Sequence, residues 1–168
     1  MRVFVDATPL YDLGQIGDLG LLGAFDAELV IPGAVVEEIT VEPAATNLGR
    51  FLAEHAVETA PDVDAWLDDA AALLDAPAHT SDVSLVAGLL AARDRGEEAA
   101  LLSDDRRLRA VAEGLDATVS GTFGAVIQAS VGDKYFSTAQ AKRVIRRTDH
   151  HGLQMTGRLR ERAIGEVD

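Results

Sequence analysis

The sequence predicts an α/β sandwich with a mostly parallel central sheet. Short β-branched and aliphatic runs such as "RVFV", "ELVI" and "AALL" alternate with longer segments at helical spacing. The 168 residues, 48% of them apolar, suffice for one core and not comfortably for two. No apolar run approaches the roughly 18 residues of a membrane span.

The elements follow in order. "RVFVD" reads as a buried strand that stops at Asp6. "TPLYDLGQIGDLGLLGAF" reads as helix interrupted by glycine, with Leu10, Leu13, Ile16 and Leu19 at a period near three. "AELVIPG" is a second short strand. Pro32 ends it and suits the first turn of a helix over "GAVVEEITVE". Leu48, Phe51, Leu52 and His55 mark another helix, and "VETAP" a minor strand. Val63, Trp66, Leu67, Ala70, Leu73 and Leu74 fall on one face of the next helix, with acids opposite. "TSDVSLVAGLLAARDRG" is a long helix. Thr80, Ser81 and Asp82 supply capping material at its start, and Gly96 suits its C′ position. Then come "AALLS" as strand, "DDRRLRAVAEGL" as helix, "DATVSG" as strand and "TFGAVIQASVG" as helix. Two further helices, 138–148 and 155–166, close the chain. A weak boundary near Gly132 separates a body, 1–132, from a helical extension of the same domain, 133–168.

The net charge is −13, and two lysines stand against thirteen arginines. Such an acidic, lysine-poor composition resembles that of a protein from a salt-loving organism, where concentrated salt screens the repulsion between surface carboxylates. The plainer reading is a generic acidic protein. Either way, most of the 28 acids serve solvation. Residues 134–168 hold 8 bases and 4 acids, so the tail is basic on an acidic body. It reads as an arm facing nucleic acid or a partner, or as a helix pair docked on the body. With no cysteine there is no disulfide framework or thiolate chemistry. The N-terminus opens directly on a strand-like run without a signal-peptide layout, so a cytoplasmic protein is the default expectation.

Ligands in open α/β sheets bind beyond the carboxyl ends of the strands. Asp6 closes the first strand, and Asp104 and Asp105 close the "AALLS" strand. Glu37 and Glu38 lie one to two turns into the helix after "ELVIP", and Asp82 begins the long helix. Each has an ordinary reading. Asp82 suits an N-cap, Asp104 could cap the helix that follows it, and Glu38 could be a helix-surface residue. Asp6 is harder to dismiss, because buried charges of one sign are costly unless a cation or donor satisfies them. Hard cations such as Mg²⁺ or Mn²⁺ prefer carboxylate oxygen and water. The histidines offer no zinc-like spacing: His150 and His151 are adjacent, and His55 and His79 are isolated.

The order of these segments resembles that of PIN-domain proteins, metal-dependent ribonucleases that include VapC-type toxins. The likeness is greatest to a branch of predicted nucleic-acid-binding members with a C-terminal extension. It rests on "VFVDATPLYDL", "IPGAVVEEI", a long helix, "LLSDDRRLRAVAEGL" and "GTFGAVIQA" in sequence. The resemblance implies a PIN-like three-layer α/β/α sandwich. It also implies a metal site of Asp6, Glu38, Asp82 and Asp105, with Asp104 the lesser candidate, and Thr8 and Ser103 behind it. The branch usually has a Gly-Glu pair before the long helix, so Ser81-Asp82 is a departure. "RGEEAA", with Glu97 and Glu98, falls one helix too late. The implied activity is RNA phosphodiester hydrolysis by metal-activated water, with Mg²⁺ or Mn²⁺. Arg106, Arg107 and Arg109, with the basic tail, are candidates for RNA contact; alternatively they pair with surface acids. The resemblance further implies a homodimer and, for a toxin, a cognate antitoxin.

Two other functions compete. A PIN-like binding module with a weak metal site is one, suggested by the shorter side chain of Asp82. A phosphatase of the haloacid-dehalogenase type is the other. Its motif needs a second aspartate where Thr8 stands, and a lysine upstream of the late acids, whereas Lys134 and Lys142 both follow them. Between Asp104 and Asp105, strand alternation turns only one toward a given metal. Asp105 is expected to face the cluster, and Asp104 to cap the "RRLRAVAEGL" helix or sit behind it.

Overall fold

Five short strands carry the core: β1 (Arg2–Val5), β2 (Glu28–Val30), β3 (Val57–Glu58), β4 (Ala99–Leu102) and β5 (Thr118–Ser120). They form one parallel sheet in the order β3-β2-β1-β4-β5. All four residues of β1 are buried, as expected of a central strand covered on both faces. The computed structural model describes residues 1–132 and 138–150.

Helices cover both faces. On one lie α1 (Ala7–Ile16), α3 (Ala44–Glu54), α7 (Thr122–Gly132) and α8 (Thr138–His150), with a 3₁₀ helix at Leu19–Ala24 packed among them. On the other lie α4 (Leu67–Leu74), α5 (Ser81–Asp94) and α6 (Arg106–Gly114). The short α2 (Gly33–Glu38) touches α1 and α5. The result is the three-layer α/β/α sandwich expected, with a sheet that is parallel throughout its described strands. α5 lies so near β1 that a Cβ at Gly88 would stand 2.2 Å from Phe4 Cε1. Only glycine fits that crossing.

The structure corrects several local expectations. Asp82 does not cap α5: Thr80 does, its hydroxyl accepting from Val83 N at 3.4 Å, and Asp82 sits in the first turn. There a carboxylate still meets the positive end of the helix dipole. Leu73 is 50% exposed, because a 3₁₀ helix at Asp64–Trp66 precedes α4 and rotates the apolar face expected from uniform α spacing. The helix over "GAVVEEITVE" stops at Glu38. Glycine splits the first helical segment at Gly17, whose φ of 77° ends α1. Gly96, at φ 68°, takes the left-handed conformation expected after α5.

Within the tail, α8 docks on α1 and α7. Val144 and Ile145 are buried, and Arg147 donates to the Ile16 carbonyl at the end of α1 and pairs with Asp18. The described part of the tail therefore packs on the body, while Arg143 and Arg146 stay exposed. The helix expected at 155–166 lies outside the described residues, as does most of the proposed 133–168 unit.

Candidate functional site

The strand order reverses between β1 and β4, since the chain runs outward from β1 through β2 and β3 and returns to β4 on the other side. A crevice opens at such a switch point beyond the carboxyl ends of the two strands. Val5 pairs with Leu102, so the next residues, Asp6 and Ser103, leave the sheet side by side. Asp6 N donates to the Leu102 carbonyl at 2.9 Å, extending the ladder by one bond.

Asp6 is 6% exposed. Its Oδ1 accepts from Ala7 N at 2.7 Å at the start of α1, and its Oδ2 accepts from the fully buried Ser103 hydroxyl at 2.6 Å. Ser103 Oγ in turn accepts from Asp105 N at 3.1 Å. One hydroxyl thus fixes both the Asp6 carboxylate and the backbone that aims Asp105. Burial pushes the Asp6 carboxyl above the usual range. The Ser103 and Ala7 hydrogen bonds oppose that, and the charges of Glu38 and Asp105 add to it.

The four expected acids come within electrostatic range of one another. Asp82 is raised first by partial burial, then by Asp6, Asp105 and Glu38, with Arg107 opposing. Its side chain keeps an exposed side, so the burial effect is moderated by solvent. Glu38, the last residue of α2, is exposed, as is Glu37. Thr8 is exposed in the first turn of α1.

The adjacent aspartates divide their work differently from expectation. Asp105, not Asp104, caps α6: its Oδ1 accepts from Leu108 N at 2.7 Å. It still acts on Asp6 and Asp82 electrostatically. Asp104 turns to the next helix along, accepting from Thr122 N at 3.1 Å and from the Thr122 hydroxyl at 2.5 Å. It caps α7 rather than α6.

Of the arginines, Arg107 donates to the Leu74 carbonyl at the end of α4, so part of its function is structural. Arg106 is exposed, and Arg109 is half-buried with its guanidinium near Gly121. Glu97 and Glu98 line a cleft with Met1 and Asp116 at the opposite edge of the sheet, away from Asp6. His55 stacks on Phe51 and bonds its carbonyl, a structural role.

Sequence reasoning missed two residues. Asp12, on α1, is 8% exposed, and its carboxyl is pushed up to about 6 by burial and by the charge of Asp104. Thr122 is fully buried. The strand-end argument applied to β5 would have found Thr122; nothing in the local pattern marks Asp12.

Among the described residues no three Asp, Glu or His side chains converge closely enough to enclose an ion. Mg²⁺ does not require this, because it keeps several waters and is held through one or two carboxylates. The donor chemistry, all carboxylate and hydroxyl oxygen around a buried Asp6, fits such a water-rich hard-cation site. No curated protein and no solved structure matches the chain. A family model described as a PIN domain matches residues 2–168. PIN domains are generally nucleases, and this chain belongs to the PIN-domain family.

Proposed function

We propose that the protein is a divalent-metal-dependent endoribonuclease. The observation that carries this reading is the mutual field of Asp6, Glu38, Asp82 and Asp105 at the switch point, with Asp6 buried and oriented by Ser103. Four carboxylates of one sign around one crevice are costly unless a cation offsets them. Asp6 and Asp105 would hold Mg²⁺ or Mn²⁺ from fixed positions. Glu38 and Asp82 would complete the site from exposed, adjustable ones, with Asp104 outside it. A bound divalent ion supplies an acidified water and offsets charge developing on the phosphoryl oxygens. The Ser103 hydrogen bond favours the ionised form of Asp6 and aims its carboxylate, and Thr8 stands at the rim.

RNA would be steered by exposed Arg106 and by Arg109, with Arg107 anchored on α4 and adding charge near Asp82. The exposed Arg143 and Arg146 extend this basic character along α8. The net charge of −13 disfavours non-specific RNA binding at low salt and matters less at high salt, which accords with a halophilic setting. The chain is read as one domain with 133–168 as its extension. A VapC-like role opposite an antitoxin, and a homodimer, are further parts of the proposal.

The test is Mn²⁺ titration followed by RNA cleavage with wild type and Asp6→Asn. Cleavage that requires both Mn²⁺ and Asp6 supports the nuclease. Tight Mn²⁺ binding without Asp6-dependent cleavage of any RNA would favour the second reading, a PIN-fold binding module, which the Ser81-Asp82 departure keeps in view.

A further inference from the structure

We propose that Asp12 and Asp104 form a second cation site, distinct from the four-carboxylate cluster and bridging α1 to the start of α7. Its ligand class is a small hard cation such as Mg²⁺ or Mn²⁺, held by the two carboxylates with the Thr122 hydroxyl as a further oxygen donor.

Three observations converge. Asp12 is more than nine-tenths buried, and its Oδ2 is shut off from solvent with no hydrogen-bond partner. A buried carboxylate oxygen without a donor is among the costlier features a fold can keep. Second, the charge that acts on Asp12 is that of Asp104. Asp104 is itself held by the Thr122 N–H and hydroxyl, two donors that favour its ionised form. Third, the surroundings are built closely around Asp104: a Cβ at Gly121 would lie 2.5 Å from its Oδ1, so a larger residue there would push the carboxylate aside.

A shared proton would satisfy Asp12 more simply, but it needs the two carboxyl groups in hydrogen-bond contact. Asp12 Oδ2 has no such contact. A solvent-shielded carboxylate oxygen on α1, in the field of a carboxylate tied to a hydroxyl at the start of α7, suits an oxygen-coordinated cation. Arg109 could have supplied the charge instead. Its guanidinium reaches the neighbourhood of Gly121 but makes no ion pair with Asp104. The site uses neither Asp6 nor Asp105, so it stands or falls independently of the nuclease reading.

The experiment is Mn²⁺ binding to the full chain, followed by calorimetry and by the paramagnetic resonance of free Mn²⁺. The variants are Asp6→Asn, Asp12→Asn, Asp104→Asn and the Asp6→Asn/Asp12→Asn double. Asp6→Asn should keep a Mn²⁺-binding step that the double variant lacks. Asp12→Asn should lose one equivalent of Mn²⁺ or weaken it at least about tenfold, as expected for loss of a charged ligand. Asn at 104 still accepts from Thr122, so Asp104→Asn should fold and show the same loss. Folding is checked by a cooperative melt in chelator, and Mn²⁺ should raise the melting temperature less in Asp12→Asn than in wild type. Unchanged Mn²⁺ stoichiometry and affinity in Asp12→Asn would overturn the site, leaving a buried water or proton at Asp12. Loss of all binding in Asp6→Asn alone would overturn it equally. Mn²⁺ binding that is unchanged in Asp6→Asn but loses a step in Asp12→Asn would support this site and count against the metal centre of the nuclease.

Discussion

The two ends of β1 treat buried charge in opposite ways. Arg2, at the start of the strand, is 7% exposed, yet it pairs with Glu28 at 3.4 Å and with Glu58, and lies over the Phe4 ring. Three adjacent strands contribute to that arrangement, in which the opposite charges offset one another. Asp6, four residues on, is as deeply buried and has only hydroxyl and amide donors, with three more carboxylates around it. One end spends its charge on holding the sheet together. The other leaves its charge open to something that is not part of the chain. A charge that the fold has already neutralised argues for architecture, and one that it has surrounded with like charge argues for a ligand.

That contrast can be broken in order of expected effect. Asp6→Asn should lower Mn²⁺-dependent RNA cleavage by at least about a hundredfold while leaving the melting temperature unchanged or higher, since it removes an uncompensated charge. A matching loss of fold would make Asp6 structural, like Arg2. Arg2→Ala should destabilise the protein by about 2 kcal/mol, since a buried guanidinium and its packing are lost while Glu28 and Glu58 keep access to solvent. Urea denaturation would measure this, and a change under about 0.5 kcal/mol would deny the contrast. Cleavage per folded molecule should be unaffected.

Asp12→Asn comes next, with the opposite sign. Folded Asp12 keeps its proton up to about pH 6, against the ordinary 3.8. Across that interval the folded state binds more protons than the unfolded one, so stability falls as pH rises through it. In chelator, the variant should therefore be more stable than wild type by about 2 kcal/mol at pH 7.5, the advantage vanishing below the ordinary carboxyl range. A pH-independent difference would show that Asp12 is not the group responsible. The smallest effect belongs to Arg106 and Arg107. Replacing both by Ala should weaken RNA binding by a few-fold at moderate salt, with Mn²⁺ affinity nearly intact. RNA binding that does not change would remove them from the interface.

The fold was largely legible because a parallel sheet buries both faces of its strands, so "VFV" and "AALL" stand out as unbroken apolar runs. The edge carrying the acids was legible for the same reason, since Asp6 and Asp104-Asp105 end those runs. What failed depended on partners distant in sequence. Both late aspartates precede α6 and look alike locally; Asp104 is claimed by Thr122, which only the fold brings near. Asp12 reads as the polar side of an amphipathic helix. Yet α1 is contacted by α2, α3, α7 and α8 and has little polar side to offer. Thr80 displaced Asp82 as the cap by two residues, because its hydroxyl is the oxygen that reaches Val83 N.

The hydrogen bond between Ser103 and Asp6 spans 97 residues of sequence, as does the pairing of β1 with β4. Closing a loop of that size costs about 4 kcal/mol of chain entropy before the contact returns anything. A growing chain that has not yet delivered Ser103 and Asp105 holds Asp6 at the end of a strand that can pair on one side only, with β2. If the protein cuts RNA, it emerges from a ribosome made of RNA. The order of its strands postpones the acidic edge until well over half of the chain exists, so no early segment can carry the activity by itself.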